Sequence, residues 1–186
     1  SLNYRCVRTT DSPENSLSLV LVHSEGEPPI GNTQTWTTDA NLNIAEVLCS
    51  QDNAQALNTV IASAKGKLVA LVRAGLKPTK PAALSELVGY ALEARTGAAG
   101  GTVRIPSGGL ISGGLVLNQA NITSTLHLGL PEGNHGYMGR GFLAQELSAV
   151  AMDCVVLRKE VFISHGGFDA DLGISPIGAA AWCLRL

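Results

Sequence analysis

Two short runs constrain this chain more than anything else in it. Leu17-Ser18-Leu19-Val20-Leu21-Val22 and Lys67-Leu68-Val69-Ala70-Leu71-Val72 are almost wholly apolar and rich in branched side chains. A strand that alternates polar and apolar residues needs cover on one face only. A continuous apolar strand needs cover on both, which is the condition of a parallel sheet lined by helices. The expected fold class is therefore α/β, mostly parallel, with helices on both faces and these two runs as central strands.

The rest of the first half supplies the cover. Residues 52–64 read as a helix: Ala56, Leu57, Val60, Ile61 and Ala64 share one face, Asp52 is placed to cap it and Gly66 to end it. Lys80 to Arg95 reads as a second helix, with Pro81 in its first turn and Gly97 beyond its end. Thr33 to Thr38 and Ile44 to Leu48 are further strand candidates. The second half changes character. Thr102 to Ile105 and Gly109 to Leu117 read as short strands between glycines. Residues 129–141 hold five glycines and a proline and read as a long surface loop. Leu147 to Leu157 reads as a strand interrupted by Asp153, and Arg158 to Ser164 as a short helix stopped at Gly166-Gly167. The expectation is one domain over 1–186, with a nucleotide-binding-like half (1–96) and an acceptor-like half (97–186).

Composition excludes several classes. With 45% hydrophobic residues in 186, the chain is neither disordered nor too small for a core. A net charge of −2 offers no polyanion-binding signature, so nucleic acid is not an expected partner. No apolar run reaches the roughly 18 to 20 residues of a membrane span, and Ser1 to Arg5 shows no signal-peptide pattern. Cys6, Cys49, Cys154 and Cys183 are widely spaced, so they read as small hydrophobic thiols in a reducing, cytoplasmic setting. His127 and His135 lack ligand partners at metal-binding spacing, and no metal site is expected. Asn121-Ile122-Thr123 is a formal glycosylation sequon without a secretory signal to give it meaning.

An ordered set of motifs carries a resemblance. Val155 to Phe162 followed by His165-Gly166-Gly167-Phe168-Asp169 resembles a strand, basic residues and Gly-Gly-Phe-Asp turn of family 2 glycosyltransferases. Cys183-Leu184-Arg185-Leu186 is similar to that family's next helix. Pro106 to Gly114 resembles its Pro-Asp-Gly turn and strand. Gly136-Tyr137-Met138-Gly139-Arg140 with Leu147 to Val150, and Asn58 with Ala62 to Gly66, resemble its rhamnosyltransferase-like bacterial branch. The resemblance implies a GT-A fold, a nucleotide-sugar donor held with Mg²⁺ or Mn²⁺, and a role in bacterial surface polysaccharide synthesis. It places Asp39, Asn58 and Arg73 toward the nucleotide sugar.

The chain departs from that pattern at the chemistry. Where the family has Asp-x-Asp for the metal, this sequence has Arg73-Ala74-Gly75. Where it has an acidic cluster containing the general base, Gly178-Ala179-Ala180-Ala181 stands, and none of these can accept a proton. Arg73 either binds a diphosphate directly or is a surface residue ending a strand. Asp153 and Asp169 are the remaining candidates for base chemistry; the first is otherwise an edge residue, the second a turn cap. Two functions follow. One is a degenerate transferase domain that binds a nucleotide sugar, a glycan or a neighbouring glycosyltransferase domain. The other is an active transferase using Arg73 with Asp153 or Asp169.

Overall fold

The computed structural model describes residues 17–22, 36, 43–47, 54–80, 83–119 and 122–186. The first apolar run forms β1 (Leu17–Val22) and the second β3 (Leu68–Arg73), with β2 (Asn43–Val47) between them in sequence. Together with β4 (Ala98–Gly100) and β9 (Cys154–Arg158) they make a sheet in the order β2-β1-β3-β9-β4. β1 pairs in parallel with both β2 and β3, while β9 runs antiparallel to β3 and to β4. The sheet is mixed: β1, β2, β3 and β4 point the same way, and β9 alone runs against them, where a mostly parallel sheet was expected. The reason is local. Residues 101–153 return to the end of the sheet where β3 and β4 finish, so the strand that starts there must run backwards between them. Both apolar runs are interior strands, with β3 at the centre.

Alternation along the strands explains the apolar runs. Val20, Val22, Val69, Leu71, Val155 and Leu157 face one layer, against α1 (Ala54–Ser63), α3 (Lys159–Ser164) and α4 (Pro176–Cys183). Leu17, Leu19, Leu21, Leu68, Ala70, Val72 and Val156 face the other, against α2 (Ala83–Ala91) and Trp36. Ser18, buried among them, accepts a 2.8 Å hydrogen bond from the Gly66 amide, so its hydroxyl is not stranded. α1 buries Ala54, Leu57 and Ile61; of the face expected from the sequence, Leu57, Ile61 and Ala64 are buried, whereas Ala56 and Val60 are only partly so. α2 is shorter than the expected 80–95. Gly89 weakens its interior, and its backbone gives way to turns after Ala91. Around α4 the core is aromatic: Phe162, Phe168 and Trp182 stack edge-on and tilted, with centroids 4.9 to 6.0 Å apart.

The second half adds two hairpins, β5 (Val103–Arg104) with β6 (Leu110–Ser112) and β7 (Leu115–Asn118) with β8 (Ile122–Thr125). Residues 126–153 hold one 3-10 turn at Tyr137–Gly139 and an isolated bridge from Ala149 to Leu115. The strand expected over Leu147 to Leu157 is thus confined to its last part. Asp153 stands at the strand's start and not inside it. The strand expected at Thr33 to Thr38 lies outside the described residues except for Trp36. Among the described residues, no helix is long and apolar enough to cross a membrane.

Candidate functional site

The strand order marks a candidate position for a site. From β1 the chain moves outward to β2, and Trp36 of that connection lies on the α2 face. From β2 it returns through α1, on the opposite face, to β3 on the other side of β1. The winding therefore reverses between β1 and β3. Ligands in open α/β sheets sit over the carboxyl ends of the strands at such a reversal. Here those ends are Val22 and its register partner Arg73.

Two candidate residues meet at this edge. The Arg73 amide donates to the Asp153 carbonyl at 2.8 Å, and the Arg73 guanidinium Nη1 donates to Asp153 Oδ1 at 3.1 Å. Their side chains are 44% and 28% exposed, so the pair is rooted in the sheet and reachable from solvent. Next to it, Ala74 continues the ladder by donating to Val22 O at 2.7 Å, and Gly75 turns the chain at φ +80°, with no described residue within 4 Å of where a side chain would point. On the far side, the Gly101 amide donates to Cys154 O at 2.8 Å. Burial, and after it the Asp153 charge, pushes the Cys154 thiol up to about 11, and burial raises Cys183 as well. Both thiols are protonated at neutral pH, while Cys6 and Cys49 lie outside the described residues.

A divalent cation on a nucleotide's phosphates does not fit these residues. Such an ion leans on one or two carboxylates. Arg73, Ala74 and Gly75 offer none, and the neighbouring Asp153 carboxylate is already bound to a guanidinium. Among the described residues no three His, Cys, Asp or Glu side chains gather as metal ligands do.

Asn58 and Asp169 fall in a second place, around the glycine turn. Asn58 Nδ2 donates to Phe168 O at 2.8 Å, and the Phe168 amide donates to Asn58 Oδ1 at 2.9 Å. The amide side chain is thereby engaged at both ends, clamping the turn to α1. Gly167 has φ +63° there, and a Cβ on it would come within 2.8 Å of Asn58 Oδ1. Arg185 clamps the same turn from the other side, donating to His165 O at 3.0 Å and to Gly167 O. Asp169 Oδ1 accepts from the Asp171 and Leu172 amides at 2.9 and 3.3 Å, a turn cap of the kind aspartate favours. Asp39 lies outside the described residues. The clamping roles of Asn58 and Arg185 were not legible in sequence, because their partners are backbone atoms with no residue type to signal them.

The segment where the resemblance places a general base is closed. α4 begins at Ser175, whose Oγ accepts from the Gly178 amide at 3.1 Å, with Pro176 at the first helical position. Gly178, Ala179 and Ala180 are buried. A Cβ on Gly178 would overlap the Gly173 carbonyl oxygen and stand 2.9 Å from Leu172 O. This helix start admits no larger side chain without moving.

No protein-family model matches the chain, and no solved structure matches it. Two curated proteins are similar to part of it. An uncharacterized protein, y4gI, of Sinorhizobium fredii is 33% identical over 112 residues, which is 60% of this chain and 12% of that protein. The O-antigen biosynthesis protein RfbC of Myxococcus xanthus is 32% identical over 118 residues, 60% of this chain and 9% of that protein. The match spans only about a tenth of each relative's length.

Proposed function

We propose that this chain is a glycosyltransferase-like domain of a polysaccharide-synthesising protein and that it does not itself transfer sugar. The polysaccharide context is supported by the similarity to a protein named for O-antigen biosynthesis and by the ordered glycosyltransferase-like motifs from Asn58 to Leu186. The observation that carries the silent character is the packing of α4. The four residues at the base position, Gly178 to Ala181, have no proton acceptor, and the first three are buried against a turn and the aromatic core. Loss of a general base typically costs about 10² to 10⁴-fold in rate. Loss of the cation that stabilises a leaving diphosphate adds a further penalty.

An active enzyme would need Asp153 or Asp169 as the base. The first is held by Arg73 and the second caps its own turn, so nothing in the geometry favours that reading. The test is product formation from a panel of UDP-, GDP- and dTDP-sugars with lipid-linked and oligosaccharide acceptors. No turnover is expected with or without Mn²⁺. Turnover that vanishes in Asp153→Asn or Asp169→Asn overturns the proposal and identifies the base.

A further inference from the structure

We propose that the loop from His135 to Leu143 is an aromatic platform that binds a neutral saccharide by stacking on its ring faces. The proposal rests on reading the domain as part of polysaccharide synthesis, and it gives that reading a ligand surface away from the strand ends.

The loop presents side chains that the core does not use. Tyr137, Met138 and Phe142 are 78%, 78% and 75% exposed, the most exposed large hydrophobic residues among those described. Apolar residues scattered singly over a surface are ordinary, but three within six positions form a patch, and patches mark contacts.

The backbone beneath them is fixed. The Gly141 amide donates to His135 O at 2.8 Å and closes the neck of the loop. Inside it, the Arg140 and Phe142 amides donate to Tyr137 O and Gly139 O at 3.1 and 2.9 Å. Gln145 braces the same turn: its Nε2 donates to Arg140 O at 2.7 Å, and Arg140 Nε donates to Gln145 Oε1 at 3.1 Å. Gly136 is closely packed, since a Cβ there would stand 3.3 Å from the Gly141 nitrogen and 3.5 Å from the His127 ring. Met138 is held at φ +52°, a left-handed backbone that costs a residue with a side chain. Strain of this kind persists only where the surroundings impose it, and it gathers where a segment binds something.

The chemistry of the surface selects the occupant. Phe142 lies on the His135 ring, with centroids 5.1 Å apart and planes 17° from parallel. One ring face is thereby propped, and the exposure of Phe142 leaves the other open. A sugar ring has a C–H face and a rim of hydroxyls. The face packs on an aromatic ring, and the rim needs donors and acceptors beside it. The Gly136 amide donates to Asn134 Oδ1 at 2.9 Å, which orients that side chain and leaves its Nδ2 to donate. The Tyr137 hydroxyl adds a group that both donates and accepts. A lipid surface fits less well, because the rings could enter it only together with Asn134 and the Arg140 guanidinium. Rings held on a fixed backbone also lose little freedom on binding, so more of the contact is kept as affinity.

The experiment is titration of the full chain with neutral oligosaccharides of glucose, galactose, mannose and rhamnose, by calorimetry and saturation-transfer NMR. The unmodified chain should bind at least one of them. Tyr137→Ala and Phe142→Ala should each weaken that saccharide about tenfold. Phe142→Leu keeps apolar area without the ring and should weaken it as much, whereas Phe142→Tyr should keep it. These side chains are exposed, so thermal midpoints should match the unmodified chain, and the losses then belong to the surface. The proposal is overturned by no saccharide binding, or by binding that Phe142→Leu retains in full. It is also overturned by self-association, or by attachment to phosphatidylcholine vesicles, that Phe142→Ala abolishes; either would give the patch to a second copy or to a membrane. Sugar transfer is read in its own assay and bears on the silent-domain reading alone, so the two failures are distinguishable.

Discussion

Gly178→Ala is the smallest change that tests how α4 is built. The new methyl would overlap the Gly173 carbonyl oxygen, with Leu172 O at 2.9 Å and the Gly173 carbonyl carbon at 3.0 Å. All three are backbone atoms, so no flexible side chain can swing aside. Relief requires α4 or the turn at 172–173 to move. Moving α4 shifts Ala179, Ala180 and Trp182, which are at most 2% exposed. Overpacking of a close-packed core costs about 1–3 kcal/mol, and rigid partners put this case at the upper end. Alanine gains back about 1 kcal/mol over glycine through helix propensity and a less flexible unfolded chain. The net expectation is a loss of about 2 kcal/mol, which lowers the midpoint of a chain this size by roughly 4–8 °C. Thermal and urea denaturation followed by far-UV circular dichroism measure it. A midpoint unchanged or raised would refute the packing account. Gly178→Asp, which places an acid where the resemblance expects one, should destabilise further and give no transfer activity, because the carboxylate adds to the clash.

Asn58→Ala should cost about 2 kcal/mol in urea unfolding, since it leaves both the Phe168 amide and carbonyl without their partner. Ile122→Gly should stabilise by about 1 kcal/mol, because Ile122 is 58% exposed and held at φ +63°, a left-handed backbone that a β-branched residue resists. Cys154 gives an alkaline signature. Its thiol is raised from 9.0 to about 11 in the folded state, so the folded chain holds its proton where the unfolded chain has released it. The associated stability is complete below pH 9 and is lost as pH rises through 11, amounting to roughly 2–3 kcal/mol. Denaturation midpoints measured from pH 8 to 11 should fall more steeply in the unmodified chain than in Cys154→Ala, and equal slopes would contradict the assignment.

Much of the layer architecture was written in residue pattern. An apolar run such as LSLVLV can only be satisfied with cover on both faces, and the helical spacing of Leu57, Ile61 and Ala64 follows from local geometry alone. Turn chemistry was equally local: Gly166-Gly167 ends α3, and Asp169 caps the segment that follows. What depended on distant parts of the chain was not readable. The direction of β9 is set by where residues 101–153 deliver its first residue, not by any property of Cys154 to Arg158. Asp153 and Arg73 lie 80 positions apart, and each alone was open between a surface residue and a functional one; only the pairing of β3 with β9 sets them side by side. Gly178 to Ala181 showed in sequence that acids were absent. The fold adds that at Gly178 a side chain would meet the backbone of the turn before the helix. Side-chain type reports what a residue can do, whereas the company it keeps is decided by chain topology and close packing.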